Sequence, residues 1–251
     1  LNEDDYPIIP KIGNMEHYLE FNTDVFRQAL GQVISSAHIS EIRPEISGVL
    51  FDFQLTIFKL VATDSFRLAE KILYSNQFKT NFEKGFKVII PLKTAQEIMR
   101  VFPNNQILRV YLDENQILFK NNDLELISRL IDGNYPDYEQ IIPKEFESEL
   151  NLEKDHFANA IKLVSNFSGK VNDIKIRFQD NERVLEIYSN NQYLGENRYL
   201  IPSKLTGAVF NEISFNWRYL LDGLKAVGVD SVVFGLNSNK KPAIIKSSAD
   251  N

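Results

Sequence analysis

Hydrophobic and polar positions repeat in two similar halves of the chain. The pattern at residues 19–30 (LEFNTDVFRQAL) returns at residues 150–161 (LNLEKDHFANAI). Three residues of the first copy recur in the second at constant spacing: Asp24 as Asp155, Phe26 as Phe157, and Ala29 as Ala160. Each copy first alternates apolar and polar residues, as a strand does, and then spaces its apolar residues as a helix does. An acidic residue stands at each helix start, where the helix dipole favours negative charge.

Each half also contains a second predicted helix, preceded by a short apolar strand. The four predicted helices cover residues 25–36, 92–102, 156–165 and 217–227. Apolar or alternating stretches that predict strands lie at residues 48–53, 58–62, 108–112, 174–178 and 184–188. Two helices and several strands per half predict an α+β fold of two tandem domains, each with helices on one side of antiparallel sheet.

A proline-containing segment precedes each copy of the repeat. Residues 6–10 and 135–143 both end in Ile-Ile-Pro, the first just before the first copy of the repeat and the second just before the other. We therefore expect residues 1–14 to be the tail of an earlier domain plus a linker, residues 15–143 to form one domain, and residues 144–251 to form the next. The chain opens on Leu, so we expect the sequence to be incomplete.

Composition narrows the class of protein. The chain has 251 residues, of which 43% are hydrophobic, and no cysteine, so disulfides, thiolate metal sites and a cysteine nucleophile are excluded. The acidic start and the lack of long apolar runs lead us to expect a cytoplasmic protein.

Signatures of catalysis are missing from the sequence. There is no glycine-rich phosphate loop, no GxSxG elbow and no HExxH motif, and His17, His38 and His156 lie far apart. We predict no catalytic residue, no metal site and no cofactor, and we interpret the three histidines as ordinary, partly exposed side chains.

Charge is distributed unevenly between the predicted helices and the rest of the chain. The helices carry two anions, Glu97 and Asp222, and six cations: Arg27, Lys93, Arg100, Lys162, Arg218 and Lys225. The helices therefore total +4, while the whole chain totals −6 and everything outside the helices −10. For any one helix a solvated polar face is the simpler interpretation. Four helices of the same sign instead favour a surface that contacts DNA phosphates without reading bases.

Three motifs give the sequence a family resemblance. They are LVATDSFRLA at residues 60–69, SRLIDGNYPDY at residues 128–138 and FNWRYLLD at residues 215–222. Taken alone, residues 63–65 predict a turn capped by side chains, and Asp132-Gly133 predicts a hairpin turn. In this order, and together with the internal repeat, the motifs resemble the bacterial sliding clamps, the beta subunits of DNA polymerase III, over essentially the whole chain.

The resemblance implies the middle and last of three DNA-clamp-type domains, with the last strand and tail absent. Members of this family form a ring of two subunits around duplex DNA, with helices lining the hole, and tether the replicative polymerase as processivity factors. Polymerase and 3′–5′ exonuclease activity would then belong to partners. The complete protein is expected to be a homodimer. This chain is expected to be a monomer, because the family's subunit contact needs the first domain.

The resemblance also implies a cleft, where the middle and last domains meet, for short peptides of polymerase and clamp-loader subunits. The expected cleft residues are Ile46, Thr63, Ser65, Phe66, Arg67, Leu68, Pro136, Gln140, Ile141, Asn216, Tyr219 and Pro242. Where the family often has Gly-His after Thr-Asp, this chain has Ser65-Phe66. Ordinary core packing is an alternative interpretation of Ile46, Leu68 and Ile141.

Two other functions fit parts of the sequence. A protein-interaction scaffold of duplicated domains that does not bind DNA would show the repeat without a shared cationic surface. A hydrolase with an unrecognised site is the third possibility, since fold and pattern never forbid a site.

Overall fold

The computed structural model describes residues 12–13, 15–181 and 183–248, so most of the predicted segment 1–14, including Pro10, lies outside the described residues. The chain divides into two compact units between Pro136 and Asp137, whereas the sequence predicts the boundary after Pro143. The segment from Asp137 to Pro143 thus belongs to the second unit.

Among its described residues, unit 1 contains two α-helices and nine strands in two antiparallel sheets. The helices are α1 (Thr23–Val33) and α2 (Leu92–Val101). The strands are β1 (Leu19–Asn22), β2 (Gly48–Phe53), β3 (Ile57–Thr63), β4 (Leu68–Tyr74), β5 (Phe78–Thr80), β6 (Phe86–Pro91), β7 (Ile107–Leu112), β8 (Gln116–Lys120) and β9 (Glu125–Arg129). One sheet has the order β5-β1-β7-β8-β9 and the other the order β4-β3-β2-β6.

Unit 2 repeats this arrangement with two helices and eight strands among its described residues. The helices are α3 (Lys154–Ser165) and α4 (Trp217–Ala226). The strands are β10 (Ser148–Glu153), β11 (Asp173–Gln179), β12 (Val184–Asn191), β13 (Gly195–Pro202), β14 (Leu205–Gly207), β15 (Ile213–Asn216), β16 (Ser231–Leu236) and β17 (Ile244–Ser247). The sheet orders are β14-β10-β16-β17 and β13-β12-β11-β15.

The two units have the same chain topology. Replacing each strand of unit 1 by its counterpart in unit 2 reproduces both sheet orders, except that β9 has no counterpart among the described residues. The predicted α+β fold of two tandem clamp-type domains is therefore confirmed, with two helices and antiparallel sheets in each domain.

The predicted acidic residues, Asp24 and Asp155, lie in the first turns of α1 and α3, and the side chain before each helix caps it. Asn22 precedes α1 and accepts a hydrogen bond from the Asp24 amide, and Glu153 precedes α3 and accepts from the amides of Asp155 and His156. Such caps satisfy amide groups that the first helical turn leaves without partners. Because α1 and α3 begin at these caps, they start at Thr23 and Lys154, each two residues before the predicted start.

The two cores are built from different residues on the same pattern. The core of unit 1 is rich in phenylalanine, and the Phe26 ring lies 4.9 Å from Phe21 and 5.8 Å from Phe51, measured between ring centroids. Phe157 is the counterpart of Phe26, and it packs against Phe234 at 5.5 Å within a mainly aliphatic core. The repeat therefore preserves which positions are buried more closely than it preserves the side chains.

In each unit the start of the first helix is tied to the loop that follows the second helix. The Thr23 amide donates to the Gln106 carbonyl at 2.9 Å, and the Lys154 amide donates to the Asp230 carbonyl at 2.8 Å. In unit 1 the Met99 side chain of α2 also packs against Gly31 of α1. A Cβ added to Gly31 would lie only 3.3 Å from Met99 Cε, so the glycine lets the helices approach closely. These ties hold the two helices of a unit side by side.

Candidate functional site

The six predicted DNA-facing cations lie on helices that bury one stripe against their own sheets. The buried stripes include Phe26, Leu30 and Val33 on α1, Ala95 and Ile98 on α2, Phe157, Ile161 and Val164 on α3, and Leu220 and Leu224 on α4. Five of the cations are exposed: Lys93, Arg100, Lys162, Arg218 and Lys225. Arg27 is only half-exposed.

The Arg27 guanidinium forms hydrogen bonds within unit 1. Its Nη2 donates to the Met99 carbonyl of α2 at 2.7 Å, and its Nη1 donates to the Asn104 side chain. Met99 lies in the last turn of α2, where the negative end of the helix dipole attracts a guanidinium. Arg27 therefore fastens α1 to the end of α2. In unit 2 the Lys154 side chain makes a similar contact with the Val227 carbonyl at 3.3 Å.

The two cations of α2 differ in their partners. Arg100 pairs with Glu97 one turn earlier, with Nη2 and Oε2 2.6 Å apart, and this hydrogen bond raises the pKa of Arg100 above its ordinary value. Lys93 has no carboxylate within ion-pair distance in the part of the chain that the structure describes. Among the described residues, unit 1 thus presents one exposed helix cation, Lys93, without an acidic partner.

Unit 2 presents three such cations. Lys162 on α3 and Lys225 on α4 are exposed and have no ion pair with any described residue. Arg218 likewise lacks a described carboxylate partner, and its guanidinium stacks on the Trp217 ring at 4.9 Å from the ring centroid. The positive charge of these helices is available to an external anion.

Cations on the sheets are arranged differently, since many of them are paired. Arg109 and Lys79 flank Glu20 at 2.9 Å and 3.5 Å, and hydrogen bonding by Arg109 lowers the pKa of that carboxyl. The other paired sheet cations are Lys59 with Glu70, Lys87 with Asp52, Lys120 with Glu125, Lys175 with Glu212, Arg177 with Glu186 and Arg198 with Glu196. Four helix cations thus stand apart from sheets whose positive charges are largely neutralised.

Most of the predicted peptide-binding residues of unit 1 lie on the hairpin between β3 and β4. Asp64 holds this turn, because its Oδ1 accepts from the amides of Phe66 and Arg67 and its Oδ2 pairs with Arg67 Nε at 3.0 Å. The Thr63 hydroxyl donates to the Arg67 carbonyl at 2.7 Å, and Leu68 pairs with Thr63 across the strands. The predicted side-chain capping of this turn is confirmed. The Phe66 side chain is 83% exposed.

Two further segments of unit 1 meet this hairpin. Arg43 Nη1 donates to the Ser65 hydroxyl at 3.2 Å, which ties the hairpin to the 3₁₀ turn that contains the buried Ile46. Tyr135 lies beside β3, because its hydroxyl donates to the Val61 carbonyl at 3.5 Å, and burial raises the pKa of this hydroxyl. This contact keeps the neighbouring Pro136 close to β3. Ile46, Thr63, the hairpin tip and the Tyr135–Pro136 segment are therefore linked within unit 1.

The hairpin turn predicted at Asp132-Gly133 is wrong. Ile131 forms an isolated bridge to Ile89, and the residues after it run as irregular chain, with Gly133 at a φ of +128°. A positive φ suits glycine because it lacks a Cβ. The glycine thus permits a bend in the exit segment instead of joining two strands.

Three predicted peptide-binding residues of unit 2 share one groove. Gln140, Ile141 and Pro242 line a cavity of about 420 Å³. The remaining lining residues are Ile142, Pro143, Glu145, Phe146, Glu147, Asn237 and Lys241. Ile141 is 57% exposed, so it is not an ordinary core residue. The lining of the groove thus combines apolar side chains with polar and charged ones.

The other two predicted residues of unit 2 lie at the start of α4. Asn216 caps the helix, because its side chain accepts from the Arg218 amide at 3.0 Å. Tyr219 is partly buried in the first turn. Neither residue lines the groove that contains Gln140, Ile141 and Pro242.

Among the described residues, no three His, Asp or Glu side chains come together as metal ligands, and no helix combines the length and apolar character needed to cross a bilayer.

Sequence reasoning missed the residues that position these sites. Arg43 ties the hairpin to a neighbouring turn, Tyr135 holds the exit segment, and Trp217 holds Arg218, whereas Asp64 belongs to the turn that residues 63–65 predicted. The Asp-Ser-Phe-Arg order was a local signal for the Asp64 turn, because Asp commonly bonds backbone amides two or three residues later. The partners of Arg43 and Tyr135 are distant in sequence and gave no such signal.

Comparison with known sequences agrees with the two-unit structure. The family profile of the DNA polymerase III beta subunit central domain matches residues 20–137, and that of the C-terminal domain matches residues 139–251. Among curated relatives, the beta sliding clamp of Staphylococcus aureus is 28% identical over the whole chain, and that of Bacillus subtilis is 29% identical. The chain spans 65% and 66% of the length of these two relatives.

Solved structures give the same result. The DNA polymerase sliding clamp of Bacillus subtilis superposes with a TM-score of 0.93 at 28% identity, covering all of this chain and 66% of that one. Both family profiles and this superposition follow the order of units along the chain. The chain belongs to the DNA polymerase III beta subunit family, and it comprises the family's central and C-terminal domains.

Proposed function

We propose that this chain is the greater part of a sliding clamp subunit, which encircles duplex DNA and keeps a polymerase on its template. The observation that supports this most directly is the unpaired charge on the helices. Lys93, Lys162, Arg218 and Lys225 are exposed without a described carboxylate partner, in a protein whose net charge is −6.

Such cations suit contact with phosphates. DNA carries regularly spaced phosphates whatever its sequence, so a few lysine and arginine side chains hold it without selecting a site. Weak and sparse contacts also let a protein move along the duplex. In this role the chain itself is non-catalytic, and polymerase and 3′–5′ exonuclease activity belong to its partners.

The DNA contact is tested with a charge-matched pair of variants. One variant replaces Lys93, Lys162, Arg218 and Lys225 with Gln, and the control replaces the ion-paired Lys79, Lys120, Arg198 and Lys241 with Gln. Both remove four positive charges, so net charge cannot explain a difference between them. Binding of a fluorescent duplex is measured by anisotropy between about 50 and 200 mM salt.

We expect the helix variant to lose most of the binding and of its salt dependence, since each phosphate contact contributes about 0.9 to the slope of log K against log salt. The control should keep both. Equal losses in the two variants would contradict specific contact by the helices. Parent binding that does not depend on salt would favour the scaffold that does not bind DNA.

We also propose that short peptides of polymerase and clamp-loader subunits bind the predicted cleft residues. The exposed Phe66 on the fixed hairpin of unit 1 and the groove of unit 2, with Ile141, Phe146 and Pro242 in its lining, support this. Burying one Leu or Phe anchor is worth about 1.5 to 3 kcal/mol, so two anchors minus ordering costs suggest micromolar affinity.

Calorimetry with a peptide carrying Leu and Phe anchors tests this second contact. Leu68→Asp and Ile141→Asp should each abolish measurable binding. Ile107→Asp and Val209→Asp, at exposed apolar residues that lie outside the hairpin and do not line the groove, should leave it unchanged. Unchanged affinity in the first pair would exclude the proposed peptide contact. All four variants are first checked for a cooperative thermal transition.

A further inference from the structure

Arg218 differs from the other unpaired helix cations because an aromatic ring supports it. Its guanidinium lies 4.9 Å from the centroid of the Trp217 ring, whereas no such ring contact is found for Lys93, Lys162 or Lys225 within the described residues. A guanidinium stacked on Trp gains cation–π attraction and keeps its outer N–H groups free for a further acceptor.

The Trp217 ring is itself held in place. Its Nε1 donates to the Ser168 hydroxyl at 3.1 Å, its backbone amide donates to the Asn172 carbonyl at 2.9 Å, and the side chain packs partly against the unit 2 core. The ring therefore has a fixed orientation before any ligand arrives. An arginine that stacks on it has fewer conformations to lose on binding.

The equivalent cation of unit 1 has no aromatic ring beside it among the described residues. Leu92 and Lys93 begin α2 as Trp217 and Arg218 begin α4. Lys93 therefore has a flexible ammonium with no described support, which loses more conformational freedom when a phosphate fixes it.

We propose that Trp217 is a positioning residue that holds Arg218 ready for a DNA phosphate, which makes Arg218 the tightest phosphate contact of unit 2. This inference rests on the proposed duplex contact and adds to it a specific residue and a reason for its strength. Because Trp217 is the only tryptophan of the chain, tryptophan fluorescence reports changes in the surroundings of this one ring.

The experiment measures duplex binding to the full chain and to four variants by anisotropy, and follows tryptophan fluorescence in the full chain and in the two variants that keep Trp217. Trp217→Leu copies the residue of unit 1 without changing charge. Trp217→Phe keeps an aromatic ring, Arg218→Gln removes the cation, and Lys225→Gln is the matched control on the same helix. Thermal unfolding confirms that each variant is folded.

We expect Trp217→Leu to weaken binding about two- to fivefold, the fold-change that corresponds to an exposed cation–π contact. The salt slope should stay unchanged, because the cation remains. Trp217→Phe should restore most of the affinity. Arg218→Gln should weaken binding more than Lys225→Gln and lower the slope by about 0.9. Duplex should change the fluorescence of the parent chain with the same midpoint as anisotropy.

Other outcomes separate the two proposals. If the parent binds duplex but Trp217→Leu binds equally well, the positioning role is wrong and the duplex contact stands. A fluorescence response to the anchor peptide instead of duplex would assign Arg218 to protein partners and overturn the inference. If the parent shows no duplex binding at about 50 mM salt, the proposed function fails together with it.

Discussion

Units 1 and 2 share one topology, yet they use the positive charge of their helices differently. In unit 1, Arg27 binds the end of α2 and Arg100 pairs with Glu97, which leaves Lys93. In unit 2, Lys162, Arg218 and Lys225 have no described acidic partner. A duplicated fold therefore does not imply duplicated function, and we expect unit 2 to contribute more to phosphate contact.

The sheets show a similar divergence at matched positions. Asp52 of β2 lies opposite Lys59 of β3 in the backbone register and forms its ion pair with Lys87 of β6, whereas at the equivalent place in unit 2 Arg177 of β11 forms an ion pair with Glu186, which lies opposite it on β12. The charges are exchanged, while one buried carboxylate is kept in each unit. The duplication thus conserves the backbone register and the need for a charged pair, and not the residues.

The largest expected effect compares the two cores. Phe26→Ala and Phe157→Ala each remove a fully buried ring, at a cost of about 3 to 5 kcal/mol. Phe26→Ala should lower the free energy of unfolding by about 1 kcal/mol more than Phe157→Ala, because it also removes edge and tilted contacts to several rings. Denaturant unfolding followed by circular dichroism measures both costs. A larger cost at Phe157 would contradict the aromatic account of unit 1.

A smaller effect is expected at the buried carboxylate of unit 2. Burial raises the pKa of Glu186, but hydrogen bonds from Arg177 and Gln179 outweigh burial and hold the pKa below its ordinary value. The pair therefore stabilises the folded state above the ordinary carboxyl pKa of about 4.3, and this contribution is lost as pH falls below it.

Glu186→Gln tests this contribution to stability. The variant should cost about 2 kcal/mol at neutral pH, and its difference from the parent should shrink at acid pH. Unfolding followed through Trp217 at several pH values checks this. The exposed Glu196→Gln is the control and should cost little at any pH. A cost that does not depend on pH would rule out the ion pair as its source.

Arg27→Gln separates structure from DNA contact. Loss of the hydrogen bond to Met99 should lower the free energy of unfolding by about 1 to 2 kcal/mol, while the salt slope of duplex binding stays at the parent value. Thermal unfolding and anisotropy measure the two effects on the same sample. A reduced slope would show that Arg27 contacts phosphate after all.

The smallest effects are expected in the equivalent hairpins of the two units. Ser65 has a φ of +76° and Gly195 a φ of +90°, a region that suits glycine. Ser65→Gly should therefore stabilise unit 1 by up to about 1 kcal/mol, and Gly195→Ala should destabilise unit 2 by a similar amount. Thermal unfolding checks both signs. Destabilisation by Ser65→Gly would mean that the Arg43–Ser65 bond outweighs the strain.

Hydrophobic spacing predicted most of the fold because buried stripes are local in sequence. The predicted strand at residues 48–53 matches β2, and the predicted helix at residues 217–227 differs from α4 by one residue. Strands with polar residues were harder to predict. β13 is mostly exposed and reads GENRYLIP, so it has little apolar alternation, and only its pairing with β12 fixes it as a strand.

The predicted site residues depend more on contacts that sequence cannot show. The sequence placed Lys162, Arg218 and Lys225 on predicted helices, and the structure has all three on helices with exposed side chains. The sequence could not show that Arg27 is used by Met99 and Asn104, which lie more than 70 residues away. A charged residue on a helix can be predicted to be exposed from sequence alone. Whether its charge is available to an external anion depends on the partners that the fold brings close to it.

The salt dependence of duplex binding in two double variants tests the central claim most directly. Lys162→Gln with Lys225→Gln changes unit 2, and Lys93→Gln with Arg100→Gln removes the same charge from unit 1. We expect the slope to fall by about 1.8 in the first and about 0.9 in the second, because Glu97 already neutralises Arg100. Unchanged slopes in both would contradict phosphate contact by the helices, and a larger loss in unit 1 would reverse the comparison.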